Sequence, residues 1–387
     1  MIIELHILPS FGPSNLNRDD AGYPKEAIFG GYRRARFSSQ AFKRAIRISD
    51  VFKDAVGMPI GIRTKQLVPH IVEALALEDV AEEWAVQWVK ETLIELYGKG
   101  VAKPEKKDES KEKGESEKKT KAKEKDAAPI YISDEEILSI VRFLADAHAN
   151  DAEPAVQAFC KAQLKTLVNR TSAPDIAMFG RMLASKPNLN IAAACQVAHA
   201  ISTHEVKMPQ SDFFTAVDDL SPPETRGAAM MGHTYFNSAT YYSYIRIDWE
   251  QLVSNLDGKV DLARQAVKGL MLASALVVPS GKKNGFVNQH RPDFLLAVAR
   301  PDNDGQSLAN AFEQPVRASN GSGYVAPSIL ALSEYWDQVE ACYRLSIPVI
   351  AVLNPRRFDL PSKELARAQV PNLLAWVEAM TDLLGEA

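Results

Sequence analysis

The chain opens on an alternation. Ile3, Leu5 and Ile7 fall on one side of an extended backbone and Glu4 and His6 on the other, the period-two pattern of a strand. Similar short patterns predict strands at Tyr32–Phe37, Val206–Met208, Phe213–Val217, Tyr241–Ile247 and Phe294–Val298. Elsewhere the spacing is helical. Leu67, Ile71 and Leu75, then Trp84, Trp88 and Ile94, recur at three- and four-residue intervals through 65–97. Ser133 and Glu136 form a capping box ahead of Ile137, Val141 and Leu144. Val156, Phe159 and Leu164 continue the helical pattern through 154–170, and further helices are expected over 260–276 and 372–384. There is no repeat at a solenoid period. Strands and helices alternating around a helical stretch predict an α+β sheet domain with a helical subdomain inserted over 50–170.

One segment breaks the pattern. Residues 102–129 carry ten lysines against eight acids and no large apolar side chain. Such a segment buries too little surface to offset its conformational entropy, so it is expected to be disordered. A helix is the alternative, since Glu and Lys favour one, but nothing there would anchor it to a core.

Composition narrows the class. With 46% hydrophobic and 24% charged residues the chain has the make-up of a globular protein. No apolar run is long enough to span a bilayer, and the N-terminal residues lack the basic start and small-residue cleavage site of a secretory signal. The three cysteines, Cys160, Cys195 and Cys342, are far apart and form no Cys-x-x-Cys pair, which argues against disulfides and a zinc knuckle and fits a reducing cytoplasm. The net charge of −4 gives no sign of a polyanionic partner. Its distribution does.

Residues 25–47 hold seven cations (Lys25, Arg33, Arg34, Arg36, Lys43, Arg44 and Arg47) against a single acid, Glu26. The spacing predicts a strand at Tyr32–Phe37 with Arg34 and Arg36 on one face, then a helix capped by Ser38 or Ser39. On that helix Phe42, Ala45 and Ile46 face the core, while Gln40, Lys43, Arg44 and Arg47 share the opposite side. A helix N-terminus backed by hydroxyls and cations suits phosphates spaced along a polyanion. A solvated surface helix is the plain alternative, although such helices usually carry balancing acids four residues away. Gly30 and Gly31 make a turn or let backbone approach a ligand closely. The Ser280–Gly285 loop, with Lys282 and Lys283 between glycines, lacks the Walker pattern and reads equally as a backbone-hugging RNA loop or an exposed turn.

These residues sit inside blocks that resemble the CasC family, the backbone subunit of the type I-E CRISPR Cascade complex. The blocks are Leu16-Asn17-Arg18-Asp19-Asp20, Ala27-Ile28-Phe29-Gly30-Gly31, Arg36-Phe37-Ser38-Ser39-Gln40 and Lys43-Arg44-Ala45. Further ordered matches include Gly180-Arg181-Met182, Ala198-His199-Ala200-Ile201, Phe214-Thr215-Ala216-Val217-Asp218-Asp219-Leu220, Ala309-Asn310-Ala311-Phe312-Glu313 and Pro327-Ser328-Ile329, with 50–170 matching weakly. The resemblance implies an RRM-like (ferredoxin-like) palm sheet in two parts, 1–49 and 231–387. It also implies a helical fingers insertion over 50–181, containing the charged segment, and a projecting thumb hairpin within 182–230. It implies RNA contacts at Lys25, Ser38, Gln40, Lys43 and Arg47, to which the shared cationic face adds Arg44. A thumb that displaces guide bases would use Phe213, Phe214 and Thr215, with Met182 near the kink.

The hairpin has its own reading: Thr203–Met208 out, a tip at Pro209–Asp212, and Phe213–Val217 back. Two adjacent aromatics on a strand face opposite sides, so one must leave any single core, either to stack on bases or to meet another subunit.

The implied partners are CRISPR RNA, target DNA paired to it, further copies of the same chain and other Cascade subunits, with no membrane. No catalysis, metal or cofactor is expected. The seven histidines form no recognisable catalytic or metal pair; His199 and His204 are five residues apart, wrong for two ligands on one helix face. The competing expectation is a metal-dependent ribonuclease like the backbone subunits of type III CRISPR complexes, using Asp19 or Asp20. An Asx turn is the structural alternative for those two residues.

Overall fold

The computed structural model describes residues 1–98, 129–217, 220, 228–302, 304–318, 321 and 323–385. The segment expected to be disordered therefore lies outside the described residues, apart from Pro129. The chain divides into two compact units: residues 1–58, 194–253 and 259–387 form one, and residues 59–193 with 254–258 form the other.

The first unit begins with β1 (Ile2–Leu8), β2 (Ser10–Ser14), β3 (Glu26–Phe29), β4 (Tyr32–Phe37), α1 (Ser39–Ile48) and α2 (Asp50–Val56). The second unit holds β5 (Ile62–Thr64), α3 (Leu67–Ala76), α4 (Glu82–Tyr97), β6 (Ile130–Ile132), α5 (Asp134–Ala149), α6 (Val156–Leu167) and α7 (Pro174–Phe179). The chain returns to the first unit through β7 (Cys195–Val197), β8 (Ala200–Ser202), β9 (Gln210–Val217), β10 (Ala228–Asp248) and α8 (Trp249–Asn255), whose last two residues count with the second. It ends with α9 (Val260–Leu276), α10 (Lys283–Phe286), β11 (Phe294–Arg300), α11 (Val325–Tyr343), β12 (Val349–Leu353), α12 (Lys363–Arg367) and α13 (Leu373–Thr381).

The first unit is a mixed α+β structure on a ten-stranded sheet in the order β12-β11-β1-β10-β8-β4-β3, with antiparallel pairings throughout. The long strand β10 organises it, pairing in turn with β9, β2, β8, β7 and β1. The expected strand at Tyr241–Ile247 is only the C-terminal part of β10. The expected strand at Val206–Met208 is irregular backbone.

β1 lies between β10 and β11, and all seven of its residues are buried. The side bearing Glu4 and His6 is therefore not a wet face. Leu8, Tyr242, Leu296 and Val298 pack there with Ile329, Leu332 and Trp336 of α11. Glu4 survives in that core because it is bonded on every side. Arg300 Nε donates to its carboxylate at 2.6 Å, Tyr244 donates at 2.6 Å, and the Gln306 N–H donates as well. Arg300 also bonds Glu340 of α11 at 2.6 Å, tying the helix to the sheet. On the other side of the sheet, Ile7 lines a small cavity with Phe42 of α1 and Ser274 and Ala275 of α9. Gly269 of α9 permits a close crossing with α2, since a Cβ there would lie 3.1 Å from Phe52 and 3.3 Å from Ala55.

The second unit is helical around Ile71, Leu75, Val89, Leu93, Ile137 and Leu144, with β5 and β6 as a small antiparallel pair. The Ser133/Glu136 capping box is present in full. Arg181 donates to the same Glu136 at 2.8 Å, both side chains being buried. Among the described residues no helix is long and apolar enough to cross a membrane.

Candidate nucleic-acid interface

The basic segment folds as a hairpin followed by a helix. Phe29 pairs with Tyr32 across a two-residue turn of Gly30 and Gly31, whose φ values are +59° and +82°. Two positive φ angles in succession are what a two-residue hairpin turn demands. Gly30 also meets the need for close approach, but to protein: a Cβ there would lie 1.9 Å from the Glu313 carbonyl oxygen.

The two arginines of β4 have separate fates. Arg34 is fully buried and donates to the carbonyls of Ser202 (3.0 Å), Phe312 (2.6 Å) and Glu313 (3.1 Å). It clamps three chain segments together and is not available to a ligand. Arg36 is half-buried. Its Nε donates to the Glu26 carbonyl at 3.1 Å and its Nη1 to His199 Nδ1 at 2.9 Å. Arg33 pairs with the Glu26 carboxylate at 3.3 Å.

Ser38 caps α1, its Oγ accepting the Ala41 N–H at 3.3 Å, and its own N–H donates to Asn17 Oδ1 at 3.0 Å. The Ser38 side chain is thus largely buried, its oxygen engaged as the cap acceptor while its O–H remains a donor. No acid stands in the first turn of α1, which leaves its N-terminus open to an anion, and Arg47 in the last turn complements the other end of the helix dipole. α1 presents three stripes. Phe42 and Ile46 are buried, Gln40, Lys43 and Arg47 follow one another along a second, and Ala41, Arg44, Ala45 and Ile48 line a cavity of about 530 Å³. Arg44 therefore leaves the Lys43/Arg47 stripe and faces a cavity shared with Arg18, Asp19 and Lys283. Lys25 is half-buried, and its carbonyl accepts the Arg36 N–H at 2.9 Å.

The same cavity takes in two other sequence candidates. Asp19 Oδ1 accepts the Tyr23 N–H at 2.9 Å and the Asp19 N–H donates to the Tyr23 carbonyl, so this carboxylate closes its own loop. Asp20 is exposed. Among the described residues no group of three or more His, Cys, Asp or Glu side chains is placed to hold a metal. The loop before α10 is held in place: a Cβ on Gly281 would lie 2.3 Å from the Leu16 carbonyl oxygen, and Asn288 donates to the Gly281 carbonyl at 3.1 Å. Lys282 and Val287, both at φ +49°, flank α10 in left-handed backbone, where a β-branched residue is strained.

The aromatic hairpin exists with a different pairing from the expected one. Residues 203–209 do not pair with 213–217; β9 pairs with the first part of β10, from Gln210↔Phe236 to Ala228↔Val217. Pro209–Asp212, read as the tip from its turn-forming residues, includes ladder positions, because Asp212 faces Thr234. The connection between the two strands falls within 218–227, outside the described residues except for Leu220. Phe213 and Phe214 are 55% and 41% exposed, so neither is core. Phe213 lies against His233, ring centroids 5.3 Å apart, and Phe214 spreads over Gly232, where a Cβ would meet its ring at 2.5 Å. Thr215 faces Met231 on the same ribbon. Met182, in the second unit, is 85% exposed.

His199 is the residue that sequence reasoning misses. Its partner Arg36 is 163 positions away, and only the pairing of β8 with β4 brings them together. His204, also near β8, stacks on Tyr324 at 3.7 Å and lines an open cavity of about 830 Å³ with Tyr32, Lys207 and Arg317.

The whole chain superimposes on subunits of known assemblies. One, from a structure titled "CRISPR RNA-guided surveillance complex, pre-nicking", matches with a TM-score of 0.80 at 24% identity, covering 100% of both chains. A second, titled "CRISPR RNA-guided surveillance complex", matches at 0.71 and 22% identity, covering 99% of this chain and 100% of that one. These likenesses establish a shared fold. No curated protein matches the sequence. A family model does, over residues 3–376, and the chain belongs to the CT1975-like protein family.

Proposed function

We propose that this chain is the CRISPR-RNA-binding backbone subunit of a Cascade-type surveillance complex, of the CasC kind found in type I-E systems. In this reading residues 1–49 and 231–387 make the RRM-like palm, 50–181 the fingers and 182–230 the thumb hairpin region. The observation that carries it is α1. Its N-terminus is capped by Ser38, its first turn has no acid, and Gln40, Lys43 and Arg47 run in one line behind it. That is a track for successive phosphates rather than a pocket for one. The likeness to chains from RNA-guided complexes adds to it.

Lys25, Ser38, Gln40, Lys43, Arg44 and Arg47 hold the RNA backbone in this account. Phe213, Phe214 and Thr215, with Met182, interrupt base stacking at intervals. Copies of the chain follow one another along the guide, beside other Cascade subunits, in the cytoplasm. Target DNA is read by base pairing and not by the protein. The chain itself cuts nothing. Support for that comes from Asp19, whose carboxylate is engaged with Tyr23 in a local loop. Expressing the chain with its genomic neighbours and sequencing the co-purifying RNA tests the reading. Guide RNAs of uniform repeat-derived ends are expected, and random cellular RNA would contradict it.

A further inference from the structure

Lys25, Arg36 and His199 converge although they come from three segments. Arg36 is fixed on β4, and the Lys25 carbonyl accepts its backbone N–H at 2.9 Å. His199 immediately precedes β8, whose Ile201 pairs with Arg36. A guanidinium can only donate, so the 2.9 Å contact makes His199 Nδ1 the acceptor and leaves the ring proton on Nε2. The imidazole is neutral as it stands. Burial, then the charges of Arg36 and Lys25, hold its pKa below the usual histidine value. Both charged groups acting on it are cations. The neighbouring acid, Glu26, is paired with Arg33.

We propose that Lys25, Arg36 and His199 form a phosphate-binding site which takes up a proton at His199 as it takes an RNA backbone phosphate. The site rests on the RNA-binding reading and adds Arg36 and His199 to its contacts. Protonation of Nδ1 breaks the bond from Arg36, because both atoms then carry hydrogens. Alone, that step places a third cation beside two others. A phosphodiester oxygen between Arg36 and His199 removes the conflict, since both then donate to it and its negative charge offsets theirs. A phosphodiester stays ionised throughout the range in which histidine titrates, so it raises the His199 pKa in the complex.

The complex then holds one more proton than the free protein wherever the pH lies between the two pKa values. Affinity rises as pH falls through that interval, by at most about tenfold per pH unit for a single proton, and is flat above and below it. A residue with a purely structural role would change affinity without changing this slope.

The test uses the full chain and a fluorescein-labelled single-stranded RNA oligonucleotide, with anisotropy titrations from about pH 8 to about pH 5.5 at fixed ionic strength. The unmodified chain is expected to gain affinity on acidification more steeply than His199→Asn, while the other histidines contribute equally to both. His199→Arg, which is always charged, is expected to bind with the same reduced slope as His199→Asn but with the higher affinity reached at acidic pH. RNA binding with parallel pH profiles in the unmodified chain and His199→Asn would overturn the proton-coupled site and leave the RNA-binding reading standing. No binding by the unmodified chain at any pH or salt concentration would overturn that reading and the site with it.

Discussion

Arg34 Nη2 donates to the carbonyl of Phe312 at 2.6 Å, joining β4 to a segment 278 residues later in the chain. The same guanidinium serves Ser202 and Glu313. The most cationic stretch of the sequence therefore contains one arginine that is buried as a structural clamp.

Arg34→Ala is expected to unfold the first unit more easily without altering the charge of the α1 track. It leaves buried carbonyls unsatisfied, each costing on the order of 1–3 kcal/mol. Lysine should not restore stability, since it lacks the planar fork that reaches several acceptors at once. Urea denaturation of both variants checks this; a midpoint unchanged from the parent would contradict the clamp.

Gly30→Ala should be far more damaging than Gly31→Ala. Both positions have positive φ, which costs a non-glycine residue roughly 1–2 kcal/mol. At Gly30 the new methyl also meets the Glu313 carbonyl, whereas at Gly31 no atom lies within 4 Å. Thermal unfolding of the pair gives the comparison, and equal losses would mean that strain alone matters at this turn.

Much of this local structure is legible from the residues themselves. The β4 strand and α9 follow from short-range patterns and agree with the structure to the residue, as does the capping box of Ser133 and Glu136, and of the two serines offered as the α1 cap the structure uses Ser38. What fails is long-range. A 21-residue strand that pairs with five different strands has no local signature, so β10 is visible only in pieces and local patterns give β9 the wrong partner. Alternation correctly sets Glu4 and His6 apart from Ile3 and Leu5, but it cannot show that α11 covers the second face. The site divides in the same way. Periodicity finds the cationic helix, yet it groups Arg44 with Lys43 and Arg47 and cannot distinguish Arg34, buried by Phe312, from Arg36, held by His199.

Burial has a consequence at acid pH. His6 is fully buried with its pKa pushed down to about 3, chiefly by desolvation and then by the charge of Arg300. Tyr242 accepts the Leu308 N–H and shares a hydrogen bond with His6 Nδ1 at 2.9 Å. Unfolding lets this histidine gain a proton below its ordinary value of 6.5. The folded pKa being the lower one, stability is full above about pH 6.5 and falls as pH drops toward 3, by up to about 1.4 kcal/mol per pH unit. His6→Gln should flatten that part of the stability profile. An identical profile in the variant would mean that other groups control acid sensitivity.

Phe213→Ala/Phe214→Ala should leave the fold intact, because both rings lie on an exposed ribbon. If they stack on bases, each is worth roughly 1–3 kcal/mol in RNA affinity. Chemical probing of the assembled guide should show reactive bases at regular intervals, blurred in the double variant. A guide without periodic reactivity in the unmodified complex would turn the ribbon into a protein–protein contact.

The central claim is that RNA phosphates lie along the Gln40, Lys43 and Arg47 line of α1, and the salt dependence of binding tests it most directly. For single-stranded RNA, each phosphate left without its cation lowers the slope of log affinity against log salt by about 0.7. Lys43→Ala/Arg47→Ala should therefore reduce the slope by about 1.4, with no change in preference among RNA sequences. A slope equal to that of the unmodified chain would contradict the account.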